Sequence, residues 1–163
     1  MESKKSEPIK WYTVVSFTVV VLVITMFARI PLPSGGYFNF GDVAVVFAGL
    51  MLGKFGGAIV GGVGSALADI LGGFAIFSPL TLLAKGFEGL FSGFAKNKTG
   101  FIFWILPGIA VISMVGIYFV GEIFMPAIKL QGAILELLPN SIQAVGGYIG
   151  GVLLFKIYSR VAD

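Results

Sequence analysis

Cysteine and histidine are both missing from this sequence. Their absence excludes disulfides, thiol nucleophiles, imidazole bases and nitrogen- or sulfur-ligated metals. Charge is scarce too: Asp, Glu, Lys and Arg make up 12% of the 163 residues, too little polar surface for a soluble domain of this size. Recognisable catalytic motifs are also lacking, with no Gly-x-Ser-x-Gly, His-Glu-x-x-His or Cys-x-x-Cys. The nearest approach to a phosphate loop, "GFAKNKTG" (Gly93 to Gly100), has Lys98–Thr99 but no glycine directly before the lysine, and no strand precedes it. Neither an enzyme nor a resident ATPase is expected, and no cofactor or metal is implied. Uphill transport would draw on an ion gradient or on another protein.

What is present is apolar. Hydrophobic residues make up 57% of the chain and the mean hydropathy is +0.99, which puts the chain in lipid. The run from Trp11 to Ile30 has the length of a membrane span, and no small-residue cleavage site follows it, so it reads as the first span rather than a signal peptide. Charge and turn-forming residues then divide the chain into an all-α integral membrane protein of about six spans. These lie at 11–30, 42–53, 55–72, 79–95, 101–121 and 140–159 and form one compact domain over 1–163, with a cytoplasmic tail at 1–10 and an outer capping lid loop at 31–41. With an N-in, C-in direction, Lys4, Lys5, Lys10, Lys54, Lys96, Lys98, Lys156 and Arg160 all fall inside, eight of the eleven basic residues. This is the asymmetry of the positive-inside rule.

The same direction gives every buried charge a depth. Asp69 lies within a turn of the outer end of its span, while Lys85 and Glu88 sit about 9 Å and about 14 Å below the start of theirs at 1.5 Å per residue. Asp42 opens the second span at the outer side, and Asn140 and Gln143 open the last one there. Lys85 with Glu88, and Asn140 with Gln143, are three residues apart and share a helix face. The outer loop "PLPSGGYFNFGD" offers Tyr37, Phe38 and Phe40 to stack on a flat ring, and Asn39 and Asp42 to read its polar edge. The structural alternatives are a helix N-cap for Asp42, an internal ion pair for Lys85 and Glu88, and an Asp69–Lys85 pair between neighbouring spans. Charged groups within spans are nonetheless functional candidates by default. The four-residue glycine series Gly49, Gly53, Gly57, Gly61 and Ser65, and Gly89 with Gly93, suit close helix packing within the monomer or a face for a membrane partner.

"FNFGDVAVVFAGLMLGKFGGAIVGGVGSALADILGG" followed by "SPLTLLAKGFEGLFSG" resembles the S components of energy-coupling factor (ECF) vitamin transporters, closely over residues 35–95 and in general plan over the whole chain. The ordered set of Asn-Phe-Gly-Asp, Ser-Ala-Leu-Ala-Asp and Lys-Gly-x-Glu-Gly carries the likeness, within the riboflavin, hydroxymethylpyrimidine or pyridoxine branch. The resemblance implies a high-affinity binder that takes a small heterocyclic vitamin or precursor from outside. Its implied partners are a transmembrane T component and two cytoplasmic ATP-binding cassette ATPases, in the bacterial cell membrane, with lipid around it and no nucleic acid. Carried over by position, it implicates Asn39, Lys85, Glu88, Asn140 and Gln143, to which the depth argument adds Asp42 and Asp69 and the aromatic loop adds Tyr37. The first span, "WYTVVSFTVVVLVITMFARI", departs from the family in lacking an Ala-x-x-x-Ala pattern, which leaves its docking face unmarked. An alternative of another class is a self-sufficient ion-coupled carrier or channel built on Asp69, Lys85 and Glu88. A scaffold resting on the glycine series is a third.

Overall fold

A computed structural model describes residues 10–162. Apart from Lys10, the predicted tail 1–10 with Lys4 and Lys5 lies outside the described residues. Five helices and one β-ribbon follow in order: α1 (Trp11–Phe27), β1 (Arg29–Pro31), β2 (Tyr37–Asn39), α2 (Gly41–Gly72), α3 (Ser78–Phe94), α4 (Gly100–Ile123) and α5 (Lys129–Ala162). Three of these helices, α2, α4 and α5, are long and apolar enough to cross a membrane by length and composition. The surface is apolar, with Val15, Val19, Phe101, Ile112 and Leu153 among many exposed side chains, whereas Asp42, Asp69, Lys85 and Glu88 are buried. That inversion of the soluble pattern is what lipid as solvent demands.

The boundaries differ from the predicted ones for local reasons. The first helix stops at Phe27, not residue 30, because Arg29–Pro31 leave it to pair with Tyr37–Asn39 in register Arg29↔Asn39, Ile30↔Phe38 and Pro31↔Tyr37. The expected lid loop is therefore a small antiparallel hairpin, closed by Leu32 N–H to Gly36 O at 2.9 Å and Gly35 N–H to Leu32 O at 3.1 Å. The last helix begins at Lys129 and runs through Pro139, so it is 34 residues long and not a span opening at Asn140. Pro139 removes one backbone donor without ending the helix, because Ala133 and Glu136 before it and Asn140, Gln143 and Ala144 after it are all buried on the bundle.

Five helical elements stand where six spans are predicted, because the stretch read as two spans around Lys54 is one 32-residue element, α2. It is interrupted at Gly53, one residue before the expected break, with φ 80° and ψ −177°. A side chain would be strained there; glycine is not. The arms on either side of Gly53 fold against each other. A Cβ on Gly57 would stand 2.7 Å from Gly49 Cα, and one on Gly61 would stand 2.8 Å from the Val45 side chain. Helix α3 lies across both arms: a Cβ on Gly49 would come within 2.7 Å of Gly89 O, and one on Gly93 within 2.5 Å of Lys54 Cα. The glycine series is thus occupied by packing inside the chain, where small residues let backbones nearly touch. Two apolar clusters complete the core. Val46, Leu50, Phe103, Val111, Met114 and Val152 fill one, and Val21, Val45, Ala48, Leu52 and Val60 fill the other.

Candidate functional site

The hairpin closes one end of the bundle over a small polar cavity of about 30 Å³, room for one or two waters. Its wall is assembled from every helix. Thr25 comes from α1, Ser65 from α2, Thr81 and Lys85 from α3, Tyr118 and Glu122 from α4, and Glu136, Asn140 and Gln143 from α5, with Tyr37 and Asn39 descending from β2. A hollow of about 660 Å³ between α4 and α5 is far larger, but it faces outward and is lined by Val111, Ile112, Val115, Val145 and Ile149. The Ser141 hydroxyl on its wall is already spent on the Leu137 carbonyl at 2.7 Å, so lipid chains suit that groove and a polar ligand does not.

Lys85 is the hub of the polar end. Its ammonium group donates to Asp42, the second residue of α2, and to Glu88 Oε2 at 3.2 Å, one turn further along α3. The Tyr118 ring centroid lies 5.8 Å away. At the hairpin, the Asn39 N–H donates to Gln143 Oε1 at 2.5 Å, Gln143 Nε2 donates to Asn140 Oδ1 at 3.0 Å, and Asn39 Oδ1 accepts from the Gly41 N–H at 2.6 Å. Asn39 therefore ties the start of α2 to the middle of α5. The Tyr37 hydroxyl donates to Asp69, and the Tyr37 ring packs on Phe74 with centroids 4.6 Å apart. Burial, with the Asp69 carboxylate beside it, pushes the Tyr37 phenol far above its ordinary range, so it is a donor at any working pH. The tip of the hairpin is held by Glu136, whose Oε1 accepts from the Ser34 hydroxyl and from the Gly36 N–H at 3.1 Å.

The eight residues singled out from the sequence meet at this end in three ways. Tyr37, Asn39, Lys85, Asn140 and Gln143 line the cavity itself. Asp42 and Glu88 stand behind it as partners of Lys85, and Asp69 holds Tyr37. The suggested Asp69–Lys85 pair does not form, because Asp42 and Glu88 take the ammonium instead. Nor does Asp42 act as a helix cap: Phe40 holds that position, with no side-chain cap bond. Phe38 and Phe40 meet edge to face at 5.3 Å on the other side of the hairpin, above an apolar slot shared with Asp42, Val43, Ile142 and Gly146. Only Tyr37 of the loop aromatics reaches the polar cavity.

Thr25, Ser65, Thr81, Tyr118, Glu122 and Glu136 also belong to the wall and escaped the sequence reading. For the two glutamates the signal is there, a lone acid in an apolar stretch, but ending the fifth span at 121 and starting the last at 140 leaves both in a connection. Several polar atoms here are buried without a partner: Thr25 Oγ1, Ser65 Oγ and Glu122 Oε2 on the wall, and Asp42 Oδ2, Asp69 Oδ2 and Glu88 Oε1 just behind it. Unsatisfied groups gathered around one space leave hydrogen-bonding capacity that water or a ligand can fill. Among the described residues no group of three or more acidic side chains is arranged to hold a metal ion.

A family model described as "ECF-type riboflavin transporter, S component" matches residues 11–160. The chain belongs to this family. It is thus a vitamin-binding transporter subunit of the membrane, not an enzyme. The S component is also 38% identical over 149 residues to an uncharacterized protein in gap 3'region of Pyrococcus woesei, covering 86% of this chain and 96% of that protein.

Proposed function

We propose that this S component captures riboflavin from the outer face of the cell membrane in the polar cavity under the hairpin, and delivers it for ATP-driven uptake by a T component and two cytoplasmic ATPases. The observation that carries the reading is the cluster of unpartnered buried polar atoms around one closed space, in a chain whose family is that of riboflavin transporters. A flavin presents many hydrogen-bonding groups along a flat ring and a hydroxylated tail. Tyr37, Asn39, Lys85, Asn140 and Gln143 would contact it directly, with Asp42, Asp69 and Glu88 positioning them. Because the cavity admits only one or two waters, the hairpin must lift to admit a vitamin and close over it afterwards.

Six crossings with both termini inside fit this function, the two arms of α2 counting as separate passes that turn back at Gly53. The arm from Gly41 to Leu52 is too short to cross alone, but α3 and α5 shield it. This direction sets Lys54, Lys96, Lys98, Lys156 and Arg160 on the inner side, as the positive-inside rule favours, and opens the hairpin to the outside. A carrier running on a proton relay is disfavoured by the placement of the buried charges, which among the described residues gather toward the hairpin end and form no chain through the other end of the bundle.

The test is reconstitution. In liposomes the S component alone should bind riboflavin without accumulating it, and uptake should start when the T component, both ATPases and internal ATP are supplied. Concentrative uptake by the chain alone, driven by a proton or sodium gradient, would refute the reading.

A further inference from the structure

Every acidic residue among the described residues is buried at the hairpin end: Asp42, Asp69, Glu88, Glu122 and Glu136, each no more than 2% exposed. Against these five stand three cations, of which Lys129 at the start of α5 is exposed and faces solvent. Lys85 is shared by Asp42 and Glu88. Arg29 lies outside the cavity, its guanidinium 5.1 Å from the Phe74 ring centroid and 5.8 Å from that of Tyr37, on the side of the hairpin that Asp69 braces. Glu122 and Glu136 remain, both on the cavity wall and neither with a cation. Glu136 is partly satisfied by Ser34 and the Gly36 N–H. Glu122 Oε2 is buried and has no partner at all.

An ionised carboxylate offers acceptors only, and leaving one buried without donors is costly. Two acids on one wall with no cation beside them favour a ligand that brings hydroxyl or N–H groups, and a ligand that brings negative charge finds no compensating cation there. We propose that Glu122, with Glu136 on the same wall, sets the specificity of this site, accepting hydrogen bonds from the donors of a neutral or cationic ligand and excluding anionic ligands such as phosphate esters. This rests on the reading of the cavity as the vitamin site and adds the ligand's charge class to it. It also assigns a binding role to Glu122.

The experiment titrates the full chain in detergent micelles with riboflavin and with its 5′-phosphate, following flavin fluorescence, alongside native mass spectrometry of whatever co-purifies. Wild type should bind riboflavin at least about tenfold more tightly than the phosphate, the ratio expected when one charge-assisted hydrogen bond is replaced by repulsion. The isosteric Glu122→Gln variant should lose about tenfold or more in riboflavin affinity and narrow the gap to the phosphate, with its thermal midpoint unchanged. Equal affinity for the two flavins in wild type, a comparison that needs no variant to fold, overturns the proposal, and so does a Glu122→Gln variant that keeps wild-type affinity and selectivity. If neither flavin binds, the riboflavin assignment falls, and the proposal is judged on the co-purifying molecule. A neutral or cationic compound with several donors, less abundant in Glu122→Gln, sustains it; an anion, or no bound molecule, overturns it.

Discussion

At one end of the bundle Lys54, Lys98, Lys156 and Arg160 stand exposed, while at the other five carboxylates and Lys85 are closed away from solvent. The charges of the first end need no partners. Two rest on aromatic rings, Lys54 Nζ at 4.9 Å from the Phe55 centroid and Lys156 Nζ at 4.5 Å from that of Phe103. Nothing in the fold would collapse if they were neutral. Each charge of the second end carries a desolvation cost of several kcal/mol that partners only partly offset, and the orphaned oxygens of Asp42, Asp69, Glu88 and Glu122 show the offset to be incomplete. Exposed basic charge therefore fits orientation in the membrane, and buried acidic charge fits recognition.

The sharpest way to break that contrast is at Lys85. Lys85→Met strands both Asp42 and Glu88, and should lower stability by about 3–5 kcal/mol, the usual result of removing one partner from a buried ionic group. Denaturant unfolding in micelles measures it. Adding Glu88→Gln alone should restore only part of the loss, since Asp42 stays unpaired; adding Asp42→Asn as well should restore most of it. A Lys85→Met protein as stable as wild type would mean that the ion network does not hold this end together.

Tyr37→Phe comes next. It removes the donor from one Asp69 oxygen when the other is already unpartnered, at about 1.5–3 kcal/mol for a bond to a charged group. The loss should be local, read as faster hydrogen exchange across residues 34–40, with saturating riboflavin slowing exchange there in wild type. A hairpin that exchanges equally fast with and without riboflavin is a connector and not a lid.

The third test concerns the region between the two ends. Gly57→Ala drives a Cβ into Gly49 Cα and the Gly89 carbonyl, and overpacking of that kind should cost about 1–3 kcal/mol. Gly116→Ala on α4 meets nothing within 4 Å and should be neutral or stabilise by up to about 1 kcal/mol through helix propensity. Thermal midpoints of the two variants compare them directly. If both are neutral, the glycine series is better explained as a partner's docking face than as internal packing.

The sequence was most informative where physics acts on single residues. A charge inside an apolar run is conspicuous, and Asp42, Asp69, Lys85 and Glu88 were legible for that reason. So was the spacing that puts Asn140 and Gln143 on one helix face. Legibility failed where a tertiary contact decides the outcome. Pro139 reads as a helix stop, and only burial on both sides of it carries α5 through. "RIP" and "YFN" are too short to announce strands before they pair. Thr25, Ser65 and Thr81 are ordinary hydroxyl residues in apolar helices, where they commonly bond back to their own backbone, and only the fold turns them toward a common space. The pairing of Lys85 with Asp42 rather than Asp69 likewise depends on the turn at Gly53, which brings the start of α2 beside α3.

The smallest expected effect lies at the exposed end. Lys54 sits just after the Gly53 turn with its ammonium 4.9 Å from the Phe55 centroid and 5.6 Å from that of Phe94, so Lys54→Gln gives up cation–π contacts worth about 0.5–1 kcal/mol at an exposed site. No buried partner is stranded, because no ion pair or side-chain hydrogen bond involves Lys54 among the described residues. A midpoint shift of a few degrees and unchanged riboflavin affinity are expected. The informative result would be the opposite one. If Lys54→Gln weakened riboflavin binding tenfold, about 1.4 kcal/mol, a change at the Gly53 turn would have been felt at Asp42 and Lys85. The two arms of α2 would then form one coupled element linking the basic end to the site, and the division between an orienting end and a recognising end would have to be abandoned.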